Sequence, residues 1–291
     1  MVASAQSSVT YSGGGTVVST KEGVITDLRQ SINGREVPLE QMEQKVISKS
    51  GNTTVTEQTV RHYGPNGQVV LTERIVTEST AGANGDSTVK ATTYRSDVSG
   101  NMAQAERKTV ETHKSGSTTV TETQVEKPSV NGSFDVAEKR TLNSQTLADG
   151  KKEDETVYLR DANGRLYTAQ RSATEEKKKG NETVSNTAVY EAGVNGDLSL
   201  ARQKVAKTTV KPDGSSVEET ELFGRASDGR ARESSAGPQL TEKRVVETQK
   251  ASDGSVVKRE SVQLPSANDP GRLTAPRTVS ETVCRGECGK P

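Results

Sequence analysis

Apolar residues in this chain neither gather into long runs nor fall on a helical stripe. The stretch Thr53-Thr54-Val55-Thr56-Glu57-Gln58-Thr59-Val60 shows no 3.6-residue apolar period. Over residues 69–76 one side receives Val69, Leu71, Glu73 and Ile75, and the other receives Val70, Thr72, Arg74 and Val76. This pattern predicts extended strands that are polar on both faces, where a sandwich would need one clean apolar face.

The predicted strands are punctuated at nearly fixed intervals. Turn glycines Gly34, Gly67, Gly100, Gly132, Gly164, Gly196, Gly229 and Gly271 stand 33, 33, 32, 32, 32, 33 and 42 residues apart, most of them preceded by Asn or Asp. A second series, Gly51, Gly85, Gly116, Gly150, Gly180, Gly214 and Gly254, falls between them. Turns this frequent leave no room for helices of ordinary length, so the unit reads strand, turn, strand, turn. Helix is expected to be negligible, residues 36–44 being the one stretch that could form it.

Aligning the repeats on the turn glycine exposes three columns. Two residues after it the chain is apolar: Val69, Met102, Phe134, Leu166, Leu198, Ala231, Leu273. Five residues after it the side chain is small: Thr72, Ala105, Ala137, Ala169, Ala201. Seven residues before it stand Val60, Thr93, Val125, Val157, Val189 and Leu222, four of them followed by an aromatic (Tyr94, Tyr158, Tyr190, Phe223).

Two all-β architectures meet these constraints. One is an elongated single-layer antiparallel meander with 32–33 residue, two-strand repeats; the other is a flattened β-solenoid. Two-sided polarity and hairpin chemistry favour the meander, with about 16 strands of roughly 40 Å forming a ribbon near 77 Å wide. Residues 16–273 form the repeat body. Residues 1–15 are expected to be a mobile segment with a hinge at Gly13-Gly14-Gly15. Residues 274–291 carry a terminal strand and a Cys-containing tail, and residues 229–238 add a protruding loop.

Composition supports a thin sheet. Val, Leu, Ile and Phe make up about 18% of the 291 residues and there is no Trp, but 35 Thr accompany 33 Val, both β-branched. The 39 basic and 39 acidic residues cancel, so nothing draws the chain to nucleic acid or to an anionic membrane. No apolar run is long enough for a transmembrane helix.

Candidate chemistry is sparse. Ala3-Ser4-Ala5 resembles the end of a trimmed secretory leader, which favours export. Cys284 and Cys288, the only cysteines, are disulfide candidates, within one chain or between subunits; a zinc or redox pair and free thiols are the other readings. Asp161-Ala162-Asn163-Gly164 and Asn84-Gly85-Asp86 contain fragments of calcium-loop chemistry that turn formation explains. With His62 and His113 the only histidines, no nucleophile has a positioned base. No enzyme, metal or cofactor is expected.

The stretch Tyr158-Leu159-Arg160-Asp161-Ala162-Asn163-Gly164-Arg165-Leu166 resembles the Tyr-Asp repeats of Rhs-type surface proteins and toxins, which implies a β-rich shell or cell-surface module. The match spans one hairpin. The period of about 32 residues is longer than that family's, and aromatics are fewer.

These readings give a secreted structural protein that joins to copies of itself through strand edges, forming an extracellular filament or matrix. The donor would be Ser8-Val9-Thr10-Tyr11. The acceptor would be the final strand around Thr278, Val279 and Val283, in which no proline, bulge or inward charge is evident. The alternative is a cell-surface adhesin or stalk that holds a carbohydrate or protein ligand.

Overall fold

Peptide groups that cannot be shielded by an apolar core must find partners in neighbouring strands, and in this chain they do so locally. The computed structural model describes residues 7–11, 15–19, 23–32, 35–64, 66–97, 99–224, 238–250, 255–266 and 269–284. Twenty strands and one turn of 3-10 helix (Ala83–Gly85) are assigned among them. The chain divides into two units: Met1–Ser115 with Val120–Arg140 and Ala162–Gly164, and Gly116–Thr119 with Thr141–Asp161 and Arg165–Pro291.

The first unit holds β1 (Ser7–Tyr11), β2 (Gly15–Ser19), β3 (Gly23–Ile32), β4 (Arg35–Ser50), β5 (Thr53–Tyr63), β6 (Val69–Ala81), β7 (Ser87–Ser96), β8 (Met102–Ser115), most of β9 (Thr118–Pro128) and the first half of β10 (Phe134–Leu147). From β1 to β8 each strand pairs antiparallel with the next in sequence. Residues 36–44 lie inside β4, so the one stretch with helix-forming composition is a strand. Pairing with β3 on one side and β5 on the other overrides the helix propensity of its Glu, Gln and Met residues.

The second unit holds the rest of β10, then β11 (Gly150–Arg160), β12 (Leu166–Lys179), β13 (Glu182–Ala192), β14 (Leu198–Val210), β15 (Ser216–Gly224), β16 (Gln239–Lys250), β17 (Val256–Gln263), the short β18 (Pro265–Ser266) and β19 (Asp269–Leu273), and β20 (Arg277–Cys284). Again neighbours in sequence pair antiparallel from β11 to β17. β18 and β19 form the tip of the last hairpin, whose arms are β17 and β20. A solenoid would pair alternate strands in parallel; every pairing here is antiparallel, and the fold is a meander.

Two kinds of turn alternate. In the wide turns 64–68, 97–101, 129–133, 193–197 and 211–215, the first residue's N–H donates to the fifth residue's carbonyl, and the glycine N–H donates to the first residue's carbonyl. The glycines sit at φ 77–83°. This is a type I turn closed by a left-handed glycine, the three-residue hairpin loop. The tight turns Gly51-Asn52, Gly116-Ser117 and Gly180-Asn181 place glycine first at φ 55–62°, as a type II′ turn requires.

Gly34, Gly229, Gly254 and the loop 225–237 lie outside the described residues. Among the described residues, two glycines of the periodic series are not in turns. Gly271 belongs to β19, because the reversal between Ser266 and Asp269 comes before it. Gly150 belongs to β11, paired with Lys177.

Three residues of the small column, Ala105, Ala169 and Ala201, are the extra residues of β-bulges. Thr93 faces Glu106 and Tyr94 faces Gln104, leaving Ala105 as the extra residue. Ala169 and Ala201 occupy the same place opposite Val157/Tyr158 and Val189/Tyr190. A bulge sets two residues opposite one, leaves the extra residue unpaired and bends the strand. Ala201 is only 4% exposed. In the second and seventh repeats the extra residues are Val70 and Thr241.

Burial is slight everywhere. Val37, Val60, Val157 and Ala201 are the buried apolar residues among those described, and no side chain is fully enclosed. Stability rests on ladder hydrogen bonds and cross-strand pairs worth about 0.2–1 kcal/mol each. On one face of the first unit Gln41 donates to Asp27 (2.8 Å), Arg61 donates to Gln41 (2.9 Å), and Glu57 binds both Lys45 (3.0 Å) and Arg74 (2.6 Å). The Arg74 guanidinium lies 5.6 Å from the Tyr94 ring centre.

Hydrogen bonds from Lys45 and then Arg74 hold the Glu57 carboxyl below its ordinary pKa. A depressed carboxylate stabilises the fold above its unfolded-state pKa and ceases to do so as pH falls through the folded value. Glu57→Gln is therefore expected to lower stability by roughly 1 kcal/mol or less at pH 7. The gap to the wild type should narrow as pH falls through the folded value, as denaturant unfolding at pH 7 and in acid would measure.

Candidate functional site

Three places carry groups that the ladders do not consume: the outer edges of the end strands, a groove on the sheet face, and a cleft at the strand ends.

Ser8, Val9, Thr10 and Tyr11 are in β1, which pairs with β2 in the register Ser7↔Ser19 to Tyr11↔Gly15. The segment expected to be mobile is thus hydrogen-bonded in its own chain, with its second edge unpaired among the described residues. Residues 1–6 and 12–14, which include Ala3-Ser4-Ala5, Gly13 and Gly14, lie outside the described residues.

Thr278, Val279 and Val283 are all in β20, exposed and paired to β17 on one side. The expectation of an unbroken acceptor edge is corrected by a bulge. Glu260 faces Ser280 and Ser261 faces Thr278, so Val279 is extra. The bulge lies next to the hairpin tip, where the Thr274 N–H donates to the Leu264 carbonyl (2.8 Å) and the Leu264 N–H donates to the Thr274 hydroxyl (3.1 Å). The regular part of β20 runs over residues 280–284, opposite residues 256–260. That is five residues, the length of β1. Cys284, at its end, is disulfide-bonded; Cys288 lies outside the described residues.

The groove crosses β11–β14 and has a volume of 440 Å³. Its floor is Ala173 paired with Ala188, two small side chains side by side. Tyr190 and Leu200 border it, also directly paired. Its polar groups satisfy one another. Gln203 donates to Asn186 (3.1 Å), Asp154 accepts from Arg171 (3.0 Å), and Glu175 lies 3.1 Å from Lys177 and 3.4 Å from Lys152. Those two lysines hold the Glu175 carboxyl below its ordinary pKa.

The cleft, of 510 Å³, lies between the β12–β13 and β14–β15 turns and is lined by Lys178, Asn181, Thr183, Val210, Lys211 and Pro212. The nearby carboxylates are engaged elsewhere. Glu182 pairs with Lys207 (2.8 Å). Asp213 accepts from the Ser215 hydroxyl (2.6 Å) and N–H (2.8 Å), which lower its pKa, with a lesser electrostatic effect of Lys211.

The histidines and calcium-like fragments are part of the sheet's own bonding. His62 pairs with Glu40 (3.2 Å) across β5 and β4, and His113 with Asp86 (3.6 Å). Asp86 accepts from the Lys114 N–H (2.7 Å), and Asp161 from the Arg165 N–H (2.8 Å). Among the described residues no group of three or more His, Cys, Asp or Glu could hold a metal ion, and no helix is long and apolar enough to cross a membrane.

Sequence reasoning missed the groove and the cleft. The adjacent small residues Ala173 and Ala188 become neighbours only through register, and the run Lys177-Lys178-Lys179 was the one signal for the cleft. No protein family model, curated protein or solved structure matches this chain.

Proposed function

We propose that the protein is a secreted structural protein that polymerises head to tail into an extracellular filament or matrix, by pairing β1 of one copy with residues 280–284 of β20 in the next. The observation that carries this reading is that β2 to β7 and β12 to β17 each pair on both sides, while among the described residues β1 and β20 each pair on one side only. An unpaired edge is a template for another strand. Backbone pairing suits a chain with so little apolar surface to offer. Because β1 already stands as an edge strand, the joint needs no release from β2.

Electron microscopy and light scattering of the purified protein test this. Full-length protein is expected to form regular filaments, and deletion of residues 1–15 is expected to leave a folded, β-rich monomer. Filaments of normal yield from the truncated protein would overturn the β1–β20 joint.

A further inference from the structure

The lysines at one end of the strands in the second unit are not balanced in the way the sheet face is. On the faces of β11–β14 most charges have an opposite charge within ion-pair distance. Lys178 and Lys211 at the cleft, and Lys250 beside it, are exposed, and among the described residues no carboxylate lies within ion-pair distance of any of them.

Register places Lys178, Thr183, Val210 and Lys250 on one face. The Lys250 ammonium extends over the β14–β15 turn: a methyl group on Gly214 would stand 2.9 Å from its Nζ. Lys178 and Lys211 thus line the cleft, and the Lys250 ammonium stands beyond it over the β14–β15 turn. Val210, Pro212 and the lysine stems give it an apolar floor, Thr183 brings a hydroxyl, and Asn181 donates to the Val210 carbonyl (3.0 Å).

We propose that this cleft binds an acidic polysaccharide. Lys178, Lys211 and Lys250 belong to β12, the turn after β14, and β16, so successive cations stand two strands apart, roughly 10 Å. Charges spaced along a line suit a polymer with recurrent anionic groups better than one isolated phosphate. The apolar floor suits the C–H face of a sugar. No aromatic lines the cleft, so nothing there stacks a nucleic-acid base. The cleft is at the strand ends and not on the outer edges of β1 or β20, so this inference does not rest on the proposed polymer joint.

The test uses the full-length protein, titrated calorimetrically at low salt with polygalacturonate, with neutral dextran and duplex DNA as comparisons. Polygalacturonate is expected to bind, to weaken as salt is raised, and to bind more tightly than DNA of equal charge; dextran is expected not to bind. The triple variant Lys178→Gln, Lys211→Gln, Lys250→Gln should lose roughly tenfold in affinity at an unchanged unfolding temperature. The double variant Lys204→Gln, Lys258→Gln removes two other lysines of the same unit and should change affinity less than about twofold. Equal losses in the triple and double variants, or binding to DNA as tight as to polygalacturonate, would overturn the proposal.

Discussion

Gly150→Ala is expected to lower the unfolding temperature more than Gly164→Ala, although both glycines belong to the periodic series that punctuates the chain. The reasons for glycine differ at the two sites. Gly164 sits at φ 83°, so alanine there meets left-handed backbone strain of roughly 1 kcal/mol. At Gly150 the methyl group would run into the Glu176 carbonyl oxygen and stand 2.8 Å from its carbon and 3.1 Å from the Lys177 Cα. All three are backbone atoms, which cannot rotate away. The start of β11 would have to part from β12, opening the Gly150–Lys177 pair and the bond from the Lys178 N–H to the Asp149 carbonyl (2.6 Å). Overpacking of this kind costs about 1–3 kcal/mol, and the lost bond adds to it. Thermal melts followed by circular dichroism would measure the order of the two variants. Equal shifts would show that the close approach at Gly150 is not what that position requires.

What the sequence revealed was whatever one strand or one turn decides alone. Positive φ at Gly67, Gly100, Gly132 and Gly196 follows from local backbone sterics, and so the turns could be placed from spacing and residue type. The meander followed from the frequency of those turns and from strands with polar residues on both faces.

What depends on two strands at once was less legible. The Ala105, Ala169 and Ala201 column was visible as small, yet its meaning as a bulge needs the register opposite Tyr94, Tyr158 and Tyr190. Gly150 read as one more turn glycine because its role comes from the backbone of β12. Residues 36–44 carry helix-forming side chains, and only the pairing partners in β3 and β5 decide against them. The groove and the cleft are further removed still, since each joins residues from strands separated by several turns. The edge of β20 looked clean because a bulge at Val279 has no local sequence mark.

Two proline substitutions in the regular part of β20 should separate folding from assembly. In an antiparallel ladder, successive residues direct their N–H groups to opposite sides of the strand. Thr282 and Val283 face Lys258 and Val257 in unbroken register. One of the two therefore donates toward β17 and the other toward the open edge. Proline is tolerated on an edge strand where its missing N–H faces solvent, and it breaks the ladder where that N–H is used. Of Thr282→Pro and Val283→Pro, one is expected to lose roughly 1–3 kcal/mol of stability through a broken β17 bond. The other should melt within a few degrees of the wild type, yet fail to form filaments, because both its donor and the room for an incoming strand are gone. Unfolding temperature and electron microscopy on the same two preparations give the answer. If the variant that keeps its stability still polymerises at the wild-type yield, β20 is not the acceptor, and assembly must proceed through some other surface.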